Sequence, residues 1–418
     1  MNESKSDVLI LGAGVIGLAC ALALLKRGVS VRLIDRGAPG CGSSQGNCGT
    51  ITPSHAEPLF MPGMVAKALR WMLKRDAPFY VSPKPDFERL RWLFGFARRC
   101  TWRDFEYAAE ARAAILQRSR QLTGELITGA GIDCSFAEDG TLYVYRDPVA
   151  LKADAWHADL LDRLGIEVQR LGGAEVEAME PALLPGVAGG EFHPGDAHLR
   201  PNRFVAGLER LVREAGGVID TDTTVTSLRM ADRRIAAVIT DRGEFRAERI
   251  VLAMGAWSPH LAAHLRVRLP MQPGKGYSLT TSRPELCPRR PLTLHEDSVC
   301  VTFWEDGFRL GSTMEFSGYS EGVNRLRLDA LKRGAKRYLH QPWGDELQQE
   351  WWGWRPMCVD ELPLIGPSAR WSNLHYATAH GMMGMSMSLA TAELVAADLA
   401  GGTTPVDAQP FRPARFGL

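Results

Sequence analysis

Ser6-Asp7-Val8-Leu9-Ile10-Leu11-Gly12-Ala13-Gly14-Val15-Ile16-Gly17 stands near the start of the chain, and its reading extends to Asp35. It reads as a strand, a glycine turn, a helix and a second strand that ends on an acid. Val8 to Leu11 form the short apolar run expected of a buried parallel strand. Gly12 permits a tight turn, Gly14 lets the backbone approach a pyrophosphate, and Gly17 lets the helix pack on the strand. Phosphates would then sit at the helix N-terminus, by Val15 and Ile16, where N–H groups and the dipole favour anions. The spacing predicts a helix over Val15 to Lys26, with Ile16, Ala19, Cys20, Ala23 and Leu24 at helical intervals. Gly28 stops it, Val29 to Ile34 form the second strand, and Asp35 is placed to hold ribose hydroxyls, with Arg36 beside it. A lone GxGxxG is weak evidence, and a plain βαβ unit could use such glycines for packing alone. Here strand, helix, second strand and acid all agree on a dinucleotide.

The 418 residues suffice for two domains and a large core. A formal charge of +1 gives no support for nucleic-acid binding. The eight cysteines show neither a CxxC pair nor zinc spacing, so no metal is expected and the thiols read as reduced, in a cytoplasmic protein. No signal peptide is visible, because the first apolar run is the nucleotide-binding strand itself. No run of about 18 apolar residues suggests a membrane span.

Gly40 to Thr50 is rich in small and polar residues and reads as a loop with many backbone donors. Placed after the second strand, it is expected to line phosphates and a ring edge through Ser43, Ser44, Asn47, Cys48, Gly49 and Thr50. Residues 60–105 are basic and aromatic, with Lys67, Arg70, Trp71, Lys74 and Arg75 before the Pro83-Lys84-Pro85 break and Arg89, Arg91, Trp92, Phe94, Phe96, Arg98, Arg99 and Trp102 after it. Such helices suit either an anionic membrane surface or a cap with a solvated basic face. Further helices are predicted over 107–128, 151–164, 202–215 and 323–339. Strands are predicted at 134–136, 141–145, 218–220, 225–230, 235–240, 249–253, 276–281 and 299–313. Leu374 to Gly401 reads as strand, glycine turn and long helix.

The chain resembles the bacterial D-amino-acid dehydrogenase family, within the D-amino-acid oxidase and glycine oxidase group of flavoproteins. The similarity rests on GAGVIG with Asp35, SSQGNCGTITP, PGMVAKALRWMLKRDAP, GDAHLRPNRF, AMGAWS, KGYSLT at Lys275 to Thr280, WRPM at Trp354 to Met357, and HGMMGMSMS. It implies an α/β (α+β overall) protein: a Rossmann-like FAD-binding domain with an interleaved mixed-sheet substrate domain. The expected division is 1–58, 196–262 and 346–418 for FAD and 59–195 and 263–345 for the substrate cap. FAD is expected to be non-covalent, since Cys358 falls several residues from the place of a covalent-flavin cysteine.

The implied reaction is oxidative deamination of a D-amino acid by hydride transfer from Cα to flavin N5, with electrons passed to a quinone or other acceptor. Such a reaction needs a cation for the carboxylate rather than a nucleophile dyad. By the resemblance, Arg355 in WRPM binds the substrate carboxylate; a structural ion pair with Asp360 or Glu361 is the alternative. Tyr277 in KGYSLT is a wall, a hydroxyl donor or a plain core aromatic. Gly381, Met382, Met383, Gly384 and Met385 open the last helix, whose N–H groups would face the flavin N1–C2=O edge. Val225 is expected at the adenine, and Ala253, Gly255 and Trp257 by the pyrophosphate or ribityl chain. His55 stands where relatives usually carry tyrosine. With Glu57, unless these are surface loop residues, it puts D-alanine in doubt as the main substrate and adds D-proline or hydroxy-D-proline, so the expected substrate is D-alanine-like or D-proline/hydroxy-D-proline-like. Two alternatives remain: an oxygen-using glycine or sarcosine type oxidase, and a flavoprotein subunit that needs a partner. The basic helices admit a peripheral contact at the inner face of the cell membrane.

Overall fold

The computed structural model describes residues 6–72 and 79–418; Lys74 and Arg75 of the basic region lie outside the described residues. Ser6–Leu11 is the first strand, Val15–Leu25 the first helix and Val31–Ile34 the second strand. At Gly12 φ is +106°, and a Cβ there would lie 2.5 Å from the Ala253 carbonyl oxygen. A Cβ on Gly17 would lie 1.9 Å from the Gly12 oxygen, so both turn and helix approach require glycine.

These strands belong to a six-stranded sheet in the order Leu364–Pro367, Leu374–Thr378, Ala247–Leu252, Ser6–Leu11, Val31–Ile34, Val218–Asp220. All neighbours are parallel except the Leu364–Pro367 edge. Leu11 stands level with Ile34 and Leu252. The carboxyl ends of the parallel strands therefore share one edge, where ligands of open α/β sheets bind. The first helix and the last, Gly384–Ala400, are buried on most sides and pack together; both carry small residues that let the backbones approach.

A second sheet of nine strands runs Leu347–Cys358, Met271–Thr281, Phe308–Phe316, Val299–Phe303, Leu292–Leu294, Thr141–Tyr145, Gly189–His193, Gln169–Gly172, with Phe79–Val81 added beside Phe308–Phe316. It is mixed: Leu292–Leu294 runs parallel to Thr141–Tyr145, and most other pairs are antiparallel. Leu347–Cys358 zips along the whole of Met271–Thr281. The expected 346–418 boundary is corrected here, because that strand belongs to the substrate sheet. In the opposite sense, the helix Trp102–Ala130, expected in the cap, packs against the last helix and contributes Phe105, Ala108, Ile115 and Leu116 to the nucleotide core.

Local differences have local causes. The helix expected over 107–128 starts at Trp102, because the Thr101 hydroxyl accepts from Asp104 N, and ends at Gly131 with φ +58°. The helix expected over 151–164 breaks at Asp154 into Pro148–Ala153 and Ala155–Arg163. Residues 134–136 form no strand; next to them, Ala137 bridges His198. The strand expected over 299–313 is a hairpin turning at Gly307, whose carbonyl accepts from Trp304 N at 2.8 Å.

Candidate active site

A cavity of about 1220 Å³ lies at the carboxyl edge of the six-stranded sheet and extends to the nine-stranded one. Gly12, Gly14, Val15, Ile16, Asp35, Arg36, Ala253, Gly255 and Trp257 line its nucleotide end. The Asp35 carboxylate accepts from Ala13 N at 2.7 Å and Gly37 N at 3.1 Å, so it pins the glycine turn to the end of the second strand. Burial pushes its carboxyl up, opposed by those N–H bonds. The first helix has no acidic residue in its first turn, which leaves the positive end of its dipole uncompensated. Ser44 Oγ accepts from Val15 N at 3.2 Å there. Arg36 lies over the Trp257 ring, 4.1 Å from its centroid, and Val225 stands nearby on the wall with Thr223 and Thr224.

The loop of small residues is held rather than loose. Ser43 Oγ donates to the Trp354 carbonyl. Arg309 donates to the carbonyls of Gln45 (3.0 Å) and Asn47 (2.6 Å). Ser43, Ser44, Asn47, Cys48 and Thr50 line the cavity; Gly17 and Gly49 do not. Gly49 instead packs on the backbone, where a Cβ would meet the Leu199 oxygen at 2.0 Å.

Arg355 is brought to the cavity by three adjacent strands. It stands opposite Gly274 in the ladder, and its guanidinium lies across Gly276, where a Cβ would come 2.3 Å from Cζ. It donates to the carbonyl of Thr313 at 2.6 Å and that of Ser312 at 3.4 Å. These carbonyls sit at a bulge in the ladder between Lys275 and Tyr277, with φ +124° at Ser312 and +58° at Thr313. Bulges next to active sites re-aim groups in this way. Among the described residues Arg355 pairs with no carboxylate: Asp360 is held by Arg415 at 2.8 Å, and Glu361 lies 3.6 Å from Arg112. Burial pulls the guanidinium down from its usual range. The neighbouring Cys300 thiol, with Arg309 and Arg355 nearby, pulls the Cys48 thiol down from its usual range against its burial. Gly381 N donates to the Pro356 carbonyl at 3.0 Å, which fixes the start of the last helix against the Arg355 strand. Gly381, Met382, Met383, Gly384 and Met385 all line the cavity, and this helix too has no acid in its first turn. His380 is structural: its Nε2 meets Thr391 Oγ1 at 2.9 Å, and burial pushes it down to about 3.

Tyr277 also lines the cavity, but its hydroxyl donates to Glu315 at 3.0 Å and is engaged there. His55 faces a separate polar lobe. Its Nδ1 lies 2.8 Å from the Tyr143 hydroxyl, and burial pushes its pKa down. Arg112 Nη2 donates to the His55 carbonyl at 2.9 Å and so positions this turn. Glu57 is no exposed loop acid: it lines the cavity 3.3 Å from His157. Burial would raise its carboxyl, but His157 and the other cations hold it down at about 2. His157 loses to burial and gains more from Glu57 and Glu191, and rises to about 10. No motif announces Tyr143, His157, Arg112 or Arg309; each reaches the site from a distant segment through tertiary packing.

The cavity fits FAD. Its volume exceeds the roughly 300–1,000 Å³ of ordinary ligand sites. Two uncompensated helix N-termini enter it. Thr52, Thr313 and Trp354 line it, and each holds a buried polar side-chain atom with no hydrogen-bond partner among the described residues. Cys358 is fully buried against Asp360 and Arg415 and is not part of the wall.

Fold and cavity together define a two-domain flavoprotein. The chain belongs to the FAD dependent oxidoreductase family, whose profile matches residues 7–398. It is 31% identical over 417 residues to the D-amino acid dehydrogenase of Agrobacterium fabrum, covering 98% of this chain and 99% of that one. It is 33% identical over 405 residues to the D-amino acid dehydrogenase of Rhizorhabdus wittichii, covering 95% and 97%. Among solved structures, glycine oxidase from Geobacillus kaustophilus superposes with a TM-score of 0.78 at 23% identity over 98% of both chains. L-proline dehydrogenase from P. horikoshii gives 0.77 at 18% identity over 99% and 98%. These structures share the fold.

Proposed function

We propose that the protein is a FAD-dependent D-amino acid dehydrogenase that converts its substrate to the imino acid, and by hydrolysis to the keto acid. When bound, FAD supplies a two-electron acceptor, at N5, for the hydride leaving Cα. Arg355 holds the substrate carboxylate; the observation that carries this is a cavity-facing guanidinium anchored by two carbonyls and matched by no carboxylate among the described residues. The N-terminus of the last helix stabilises the negative charge that develops on reduction. Gly12 to Ile16, Asp35 and the 43–50 loop hold the nucleotide and its ring edge, Val225 the adenine, and the FAD is non-covalent.

The lobe of His55, Tyr143, Glu57 and His157 is polar and buried, and supports a cyclic or hydroxylated side chain, as in D-proline or hydroxy-D-proline, over D-alanine. The test is anaerobic addition of D- and L-amino acids to the holoenzyme. D-amino acids should bleach the visible flavin band, with D-proline types ahead. If no D-amino acid bleaches it, the reading is wrong. Peroxide released once per turnover would make it an oxidase instead.

A dehydrogenase needs an acceptor, and a quinone is our proposal. No described helix is long and apolar enough to cross a membrane. The helix Phe87–Ala97 instead offers a peripheral surface. Phe87, Leu90 and Phe94 are 74%, 59% and 64% exposed, and Arg91 and Arg98 fall on the same stripe. Trp92 and Arg89 turn inward, Trp92 donating to the Met357 carbonyl at 3.1 Å.

A further inference from the structure

Behind the polar lobe, Glu191 and His193 project from one face of the strand Gly189–His193 toward His157 on the helix Ala155–Arg163. All three are buried. Glu191 Oε2 lies 2.7 Å from His157 Nδ1 and 3.9 Å from His193 Nε2, and one ligand atom from each residue fits within 4.8 Å. Among the described residues neither ring nitrogen of His193 has a hydrogen-bond partner, although the residue is only 1% exposed. An orphaned imidazole at that depth requires an explanation. The Tyr143 ring packs against the His193 ring at a steep angle, 4.6 Å between centroids, without a hydrogen bond to either nitrogen.

We propose that His157 Nδ1, Glu191 Oε2 and His193 Nε2 form a binding site for a borderline divalent metal ion of the zinc class. Two imidazoles and one carboxylate are a ligand set such ions take, leaving a fourth position for water. Ligands about 2.1 Å from a tetrahedral ion stand roughly 3.4 Å apart, and the observed 2.7 and 3.9 Å bracket that value. The second nitrogen of His157 faces Glu57 Oε2 at 3.3 Å. That is the carboxylate–histidine arrangement which fixes the tautomer of a metal-bound imidazole. Charged and titratable groups around the cluster include His55, Tyr143, Tyr145, Asp154 and Arg170. Bound metal would tie the helix Ala155–Arg163 to the substrate sheet and lock His157 in the cavity wall.

The test uses chelator-treated holoenzyme, reloaded with Zn2+ and freed of excess. We expect one zinc per chain, and X-ray absorption at the zinc edge showing imidazole scattering, nitrogen and oxygen at about 2.0–2.1 Å and no sulfur shell at about 2.3 Å. Added Zn2+ should raise the melting temperature. His193→Gln and Glu191→Gln should abolish retention, and Glu57→Gln should weaken it about 10–100-fold, with the FAD content unchanged. No retained zinc, a sulfur shell, or equal zinc in wild type and Glu191→Gln overturns the proposal. The absorption spectrum of the wild type decides the matter even if His193→Gln does not fold.

Discussion

The guanidinium of Arg355 reaches its place only because Gly276, on the strand between its own and the bulge, has no side chain. Three strands thus specify one cation: Leu347–Cys358 carries it, Met271–Thr281 makes room for it, and Phe308–Phe316 anchors it through two strained residues. Arg355→Met should lower kcat/KM for a D-amino acid by about 30- to 4,000-fold, the 2–5 kcal/mol typical of truncating one partner of a buried charge pair. The flavin spectrum should be unchanged. Arg355→Lys should recover only part of the loss, because an ammonium cannot fork onto a carboxylate. Gly276→Ala acts at second hand: the new methyl must displace the guanidinium, and KM should rise about tenfold, or ~1.4 kcal/mol. An unchanged KM in Gly276→Ala would show that the substrate carboxylate binds elsewhere.

At the scale of elements, the helix Phe87–Ala97 separates two uses of aromatic residues that lie side by side in the sequence. Trp92 and Phe96 stack inward, 5.3 Å between centroids, while Phe87, Leu90 and Phe94 face solvent. The apolar face and arginines of one stripe suit the headgroup region of an anionic bilayer. The double variant Leu90→Ser, Phe94→Ser should lose sedimentation with anionic liposomes while keeping its turnover with a soluble acceptor. Wild-type binding should weaken as salt rises, since the arginine contribution is screened. Failure of the wild type to sediment would remove the membrane reading and leave these residues as cap surface. The same helix shows a limit of pattern reading: a list of basic and aromatic residues does not say which face each occupies.

For the whole molecule, the legible part was the part written locally. The glycine turn, Asp35 and the last helix each fit within a few dozen residues, so the nucleotide-binding unit and its ligand edge follow from the sequence, whereas the antiparallel edge strand Leu364–Pro367 carries no such local signal. Arg355 was legible only through its family motif. Of the polar lobe only His55 and Glu57 were legible, because Tyr143, His157 and Glu191 meet them only after the two sheets close on each other. Asp196 holds one seam of that closure: it accepts from Ser54 N at 3.1 Å and Ser54 Oγ at 2.6 Å, beside the paired Thr50–Ile51 and Ala197–His198 segments. Burial raises its carboxyl from 3.8 to about 7. Between those values the folded chain keeps a proton that the unfolded chain has lost, so this contribution is complete below pH 3.8 and falls away as pH rises to about 7. The difference is of order 4 kcal/mol at about 1.36 kcal/mol per unit. His193, His198, His375 and His380, pushed down by burial to between about 3 and about 4, act in the opposite sense, adding stability as pH rises toward the usual histidine range. The total curve therefore hides Asp196, and the comparison with Asp196→Asn isolates it. That variant keeps the bond from Ser54 N at its amide oxygen, lets its amide nitrogen donate to Ser54 Oγ in place of the reverse bond, and cannot ionise. Its stability relative to wild type, from melting of the holoenzyme, should improve steadily from pH 4 to pH 7 and level off above. A difference that stays flat across that range would mean that Asp196 is ionised in the folded chain, with the seam hydrated rather than sealed.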